Sequence, residues 1–180
     1  MSRPGQAVFL DRDGTINKDK GYLYKRESFE YLEGAVEGLR YLQKLGYVLL
    51  VVTNQSGIAR GYYSEEDFQK LTDWMLSDLR SQGVFISGVY YCPHHPEGRV
   101  RKYTKICSCR KPKTGLFYQA ARENGIDLDK SIVIGDNMRD LSICNETSAK
   151  GILISAKNET QKGILICNSW KEIIKGVMDS

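Results

Sequence analysis

The chain has 180 residues, 41% hydrophobic and 27% charged, with a formal net charge of +4. That is enough chain for one domain with a real core, expected over residues 1–180, and no apolar run approaches the roughly 18 residues of a membrane span. The mild basic excess suits a small phosphorylated substrate as well as a weak nucleic-acid partner, so it selects neither.

Ala7-Val8-Phe9-Leu10 reads as a short buried strand that runs straight into Asp11-Arg12-Asp13-Gly14-Thr15. Two carboxylates at i, i+2 on an extended path point the same way. Side by side they repel, so one takes a proton or both face a cation. Asp-x-Asp-Gly is also a common solvated turn, but the carboxyl end of a strand is where open α/β sheets bind their ligands. Residues 16–33 read as a loop or small flap with scattered aromatics. Val36, Leu39, Leu42 and Leu45 at near-helical spacing predict a helix over 34–45, stopped by Gly46. The run 47–52 predicts a buried parallel strand, ending abruptly in Thr53-Asn54-Gln55-Ser56-Gly57.

Ser64-Glu65-Glu66-Asp67 opens a second helix with a capping-box pattern, and Phe68, Leu71, Met75 and Leu79 form its inward stripe. A third strand is expected over 84–91, a helix over 116–123 stopped by Asn124-Gly125, and a fourth strand over 131–134 ending in Gly135-Asp136. Gly151–Ile154 and Gly163–Ile166 are candidate last strands before a final helix around 170–177. Strands alternating with helices predict an α/β fold with a doubly wound, Rossmann-type parallel sheet. Asp11, Thr53 and Asp136 then crowd one rim of that sheet.

The N-terminus lacks the apolar core of a signal peptide, so a cytoplasmic location is expected. In a reducing compartment five cysteines argue for a metal rather than disulfides. Cys92, Cys107 and Cys109 fall close to both histidines of the chain, His94 and His95. Three sulfurs and one imidazole make a closed tetrahedral Zn²⁺ site, structural in role, that staples the loop 92–109. Spacing leaves open which histidine completes it. Cys144 and Cys167 sit in apolar contexts and are expected to be inert.

Asp11-Arg12-Asp13-Gly14-Thr15, Thr53, Lys111 in Arg110-Lys111-Pro112, and Gly135-Asp136-Asn137-Met138-Arg139-Asp140 resemble, in order, the four motifs of the haloacid-dehalogenase superfamily of phosphotransferases. The longer blocks 11–17, 53–61, 91–96 and 107–112 look like the D-glycero-D-manno-heptose 1,7-bisphosphate 7-phosphatases. The resemblance covers residues 7 to about 140. It implies a fold without a large cap domain, a catalytic Mg²⁺ and a structural Zn²⁺, and it favours His94 as the fourth zinc ligand. It further implies Asp11 as nucleophile, Asp13 as acid/base, and Thr53 and Lys111 as stabilisers of the phosphoryl group. Asp11, Asp136 and the backbone carbonyl of Asp13 are the expected Mg²⁺ ligands. Asp19, Gly21, Tyr22, Asn54, Gln55, Ser56, Arg110 and Asn137 are expected to line the sugar-phosphate site. Asn137 stands where the family pattern often has Lys. Asp140 either supports the site from behind or caps the helix that starts there, and the first is preferred.

The expected activity is removal of the C7 phosphate of the heptose bisphosphate in nucleotide-activated heptose synthesis, by a monomer without nucleic-acid or membrane partners. Histidinol-phosphate phosphatase shares every catalytic residue and is the alternative. The basic run 99–113 motivates a polynucleotide phosphatase, ranked lower because the zinc site and the substrate phosphate use much of that run. A receiver-like signalling domain also carries a phospho-accepting Asp, but Asp13 would speed the hydrolysis such a signal must resist. A non-catalytic, zinc-stapled module is the remaining alternative.

Overall fold

The computed structural model describes residues 5–156 and 163–178. Six strands, β1 (Ala7–Leu10), β2 (Val48–Asn54), β3 (Ile86–Cys92), β4 (Ile132–Gly135), β5 (Lys150–Ile154) and β6 (Ile164–Cys167), pair in the order β3-β2-β1-β4-β5-β6. All pairings are parallel. The helices are α1 (Ala35–Lys44), α2 (Gly57–Arg60), α3 (Glu65–Ser81), α4 (Gly115–Asn124) and α5 (Trp170–Met178). The doubly wound parallel sheet expected from the alternating pattern is therefore present.

Because side chains alternate along a strand, β1 feeds two cores. Val8 and Leu10 pack with Leu39, Leu42, Met75, Leu79, Trp170 and Ile173, from α1, α3 and α5. Ala7 and Phe9 face Leu116, Phe117 and Ala120 of α4 on the opposite side. Ser64 opens α3 as expected: its hydroxyl accepts from the Asp67 N–H at 3.0 Å, while the Asp67 carboxylate accepts from the Ser64 N–H at 2.9 Å. A box of this kind is worth about 1 kcal/mol.

Strand ends shift by one or two residues from the sequence pattern, β3 beginning at Ile86 rather than 84, and two features bear on the site. β2 runs on through Thr53 and Asn54, which pair with Tyr91 and Cys92 of β3. A ladder partner, not side-chain apolarity, keeps these polar residues extended. The helix that follows Asp136 is a 3-10 helix over Met138–Asn145. The 16–33 stretch is the expected flap, held by bridges of Asn17 to Asp13 and Tyr31. Among the described residues no folded unit separate from the sheet and its helices caps the carboxyl edge.

The chain steps outwards from β1 through β2 to β3, then returns to β4 on the other flank of β1. That reversal opens a crevice beyond the carboxyl ends of β1 and β4.

Candidate active site and metal centre

A cavity of about 410 Å³ occupies this crevice. Asp11 and Asp13, just past β1, lie on its wall with Asp136 and Asp140, which follow β4. Carboxylate oxygens of Asp11, Asp136 and Asp140 lie within 4.8 Å of one another. Burial, reinforced by the neighbouring acids, pushes Asp136 up to about 7. Burial likewise pushes Asp11 up to about 6, against the opposing pull of Lys111. Such a cluster favours protons or a cation over bare charge.

Lys111 supplies one cation. Its ammonium is buried and donates to Asp11 Oδ1 at 2.7 Å and to the Val52 carbonyl at 2.7 Å, and it pairs with Asp140 at 2.8 Å. Burial alone would drive the ammonium towards neutrality, but Asp11 and Asp140 outweigh it and raise its pKa. Asn54 explains the placement of Lys111: its amide donates to the Lys111 carbonyl at 3.1 Å and accepts from the Lys111 N–H at 3.0 Å. Asp140 pairs with Lys111 through one oxygen, and its other oxygen accepts from the Asn137 N–H at 3.0 Å and closes a capping box.

Gly14 turns the chain at φ +79°, and a Cβ there would lie 2.1 Å from Asp136 Oδ2. Only a glycine lets the β1 loop and the Asp136 carboxylate approach this closely. Thr53 is buried beside the cavity rather than on its wall, and its hydroxyl accepts from the Gln55 amide at 3.0 Å. Gln55 also donates to Asp13 at 3.1 Å.

Asp19, Gly21, Tyr22, Asn54, Gln55, Ser56 and Arg110 all line the cavity. Asn137 does not. Its side chain turns back to accept from the Arg139 N–H at 3.1 Å, and Arg139 is the residue on the wall. Arg60, Tyr63 and Arg139 are cavity residues that the motif reading did not single out. All three lie within or beside motif blocks, but nothing in their spacing marks them as inward.

Beside the cavity, Cys92, His94, Cys107 and Cys109 bring three sulfurs and a ring nitrogen within 4.8 Å of one another. Sulfur separations are 3.1–3.5 Å, and His94 Nδ1 is 3.3 Å from the Cys109 sulfur. This is a possible metal site of closed form. His95 points elsewhere, with Nε2 3.0 Å from the Arg60 guanidinium. Arg110 follows directly on the cluster and donates to the His94 carbonyl at 3.4 Å.

The geometry finds its counterpart among known proteins. The D-glycero-beta-D-manno-heptose-1,7-bisphosphate 7-phosphatase of Haemophilus ducreyi is 45% identical over 177 residues, covering 94% of this chain and 96% of its own. The chain belongs to that family. The enzyme of the same name from Photorhabdus laumondii is 43% identical over 183 residues, covering 98% of this chain and 97% of its own. The fold matches the D,D-heptose 1.7-bisphosphate phosphatase of B. bronchiseptica, solved with magnesium and phosphate, at a TM-score of 0.82 and 25% identity. That match covers 97% of this chain and 98% of the other. The family model for polynucleotide kinase 3 phosphatase also matches, over residues 6–172. The sheet of this heptose-bisphosphatase relative is thus of the haloacid-dehalogenase-like type.

Proposed function

We propose that the protein is a phosphoric monoester hydrolase that removes the C7 phosphate of D-glycero-β-D-manno-heptose 1,7-bisphosphate. The observation that carries this reading is the Asp11 carboxylate, open to the cavity and fixed at 2.7 Å by a buried lysine. Asp11 attacks phosphorus and the bond from phosphorus to the sugar oxygen breaks. The departing alkoxide takes its proton from the Asp13 carboxyl group. In the second step water gives a proton to the Asp13 carboxylate as its oxygen attacks the aspartyl-phosphate, and the bond electrons return to Asp11. Lys111 and Thr53 stabilise the charge that shifts between oxygens.

Three carboxylates within 4.8 Å, two of them with raised pKa, fit a hard dication with oxygen ligands. Asp11, Asp136 and the Asp13 carbonyl would hold Mg²⁺, whose charge lets anion meet anion at the phosphorus. Asp140 has both oxygens engaged, one by Lys111 and the other by the Asn137 N–H, whereas Lys111 occupies only Oδ1 of Asp11. The Cys92, His94, Cys107 and Cys109 cluster fits a structural Zn²⁺ with no open position, which would stiffen the loop from which Arg110 reaches the cavity.

A bisphosphate needs a second anion site. Arg60, Arg110 and Arg139 all line the cavity, and Arg139 and Arg60 both help to hold the Arg110 pKa below its ordinary value, after burial. Mutually repelling guanidiniums at one opening suit a second phosphate. The same reading includes one domain over 1–180 acting as a cytoplasmic monomer on a small phosphorylated sugar, in nucleotide-activated heptose synthesis.

The test is Mg²⁺-dependent phosphate release from heptose 1,7-bisphosphate and from histidinol phosphate, with Asp11→Asn as control. One phosphate per bisphosphate and little from histidinol phosphate is expected. The reverse preference moves the protein to amino-acid synthesis, and no turnover of either substrate rejects the assignment.

A further inference from the structure

Arg12 lies between the two carboxylates of the first motif, yet its side chain is 1% exposed. The guanidinium turns onto its neighbour. Nη2 donates to both oxygens of Asp13, at 3.0 and 2.8 Å, and Nε reaches Oδ2 at 3.2 Å. The same Nη2 donates to the Leu23 carbonyl at 2.9 Å. Its central carbon sits 5.6 Å from the centre of the Phe68 ring, and Nη1 is buried with no hydrogen-bond partner among the described residues.

A buried guanidinium costs several kcal/mol of desolvation, and here a single carboxylate compensates it. That arrangement is expensive for packing alone. It does hold Asp13 in one orientation, with the Asn17 amide on Oδ1 at 2.9 Å and the Gln55 amide on Oδ2 at 3.1 Å. It also reaches the substrate side of the cavity. Leu23 directly follows Gly21 and Tyr22, which line the cavity, and Tyr22 is held in the left-handed region at φ 50°. A planar fork that grips two oxygens and still has an N–H for a carbonyl is a geometry lysine cannot reproduce.

We propose that Arg12 is a positioning residue for proton transfer: it aims the Asp13 carboxylate and ties that aim to the loop carrying Tyr22. This rests on the phosphatase reading of the site. Only a poor leaving group needs the proton from Asp13. A sugar alkoxide does, and p-nitrophenolate does not. A misaimed acid therefore slows one substrate far more than the other, whereas general structural damage slows both alike.

The experiment is rapid-quench, single-turnover release of the leaving group by wild type, Arg12→Met and Arg12→Lys. Each is given heptose 1,7-bisphosphate or p-nitrophenyl phosphate with Mg²⁺. The expected result is a loss of about 100-fold on the sugar phosphate against about threefold on p-nitrophenyl phosphate, in line with the usual size of general-acid effects. Arg12→Lys keeps the buried charge opposite Asp13, so it gives the same comparison should Arg12→Met not fold. Equal losses on both substrates, or no loss on either, would overturn the proposal. Failure of wild type on both substrates would instead reject the phosphatase reading, and this inference with it.

Discussion

The indole N–H of Trp170 donates to the Thr15 carbonyl at 2.8 Å, across 155 residues of sequence. Thr15 belongs to the turn that carries Asp11 and Asp13, and Trp170 opens the last helix, α5. The contact is possible because Gly38 of α1 leaves room for the indole; a Cβ there would lie 2.2 Å from Trp170 Cε3. The C-terminal part of the chain, which carries no recognisable motif, is in this way a wall of the first motif's loop.

Trp170→Phe preserves most of the packing and removes the donor. A buried carbonyl left unpaired costs about 1–3 kcal/mol. Urea unfolding should show a loss in that range, and Trp170→Ala a larger one of about 3–5 kcal/mol from the cavity. A Trp170→Phe midpoint equal to that of wild type would show that the hydrogen bond contributes nothing.

Gly14→Ala should separate metal binding from folding. The new methyl meets Asp136 Oδ2 at 2.1 Å and forces that carboxylate aside, on a backbone at φ +79°. Gly46 has a similar φ, +89°, with nothing within 4 Å of the added atom. Both alanines carry backbone strain of about 1–2 kcal/mol. Only Gly14→Ala should also weaken the Mg²⁺ dependence of phosphate release, by about tenfold or more, as displaced metal-site groups do. Equal Mg²⁺ titrations for the two variants would remove Asp136 from the metal site.

Lys111→Met leaves Asp11, Asp136 and Asp140 facing one another without the lysine. Breaking a buried pair of this kind costs about 3–5 kcal/mol. Adding Asp140→Asn should recover part of it, because a charge that has lost its partner is removed. A double-mutant cycle by denaturant melts measures the coupling. Simple additivity would mean that the 2.8 Å contact of Lys111 with Asp140 is energetically idle.

Chelation should release thiols selectively. Burial pushes Cys144 and Cys167 up to about 11. Their thiolate fraction at pH 8 is then about one in a thousand, and they react slowly while the protein is folded. Their raised values also mean that stability present below about pH 9 is lost as pH rises towards 11. A thiol reagent added after chelation at pH 8 should reach Cys107 first, since hydrogen bonds from Cys109 and Cys92 hold its pKa down against burial, while Cys92, fully buried with its pKa raised, follows with Cys144 and Cys167 on unfolding. A fast-reacting Cys107 before chelation would argue against a metal in the cluster.

Much of this protein is legible locally. Apolar runs of four to six residues marked the strands, near-helical spacing of Val and Leu marked α1 and of Phe, Leu and Met α3, and Gly125 ended α4. Each of these signals spans about three helical turns or one strand at most, so no tertiary knowledge is needed to read it. The Asp11 and Asp13 pair is local in the same way. Because β1 and β4 share the middle of a parallel sheet, Asp136 then follows to the same rim.

The remaining features depend on which side chains the packing brings together. Spacing could not choose between His94 and His95; loop closure turned one ring to the cysteines and the other to Arg60. Asn137 looked like a cavity residue from its position after Asp136, yet the tight 3-10 turn used its amide as a cap and put Arg139 on the wall. Arg12 stands between two acids in the sequence with nothing local to say where it turns, and burial against Phe68 makes it a grip on Asp13. Trp170 reached Thr15 only because α5 docks on α1 at a glycine. Local sequence determined the strands, the helices and the order of the motifs, since backbone preference and apolar period act over a few residues. The partners of each charged and polar group were decided by tertiary structure, because burial makes an unpaired charge or carbonyl costly and only the folded chain shows which partner is within reach.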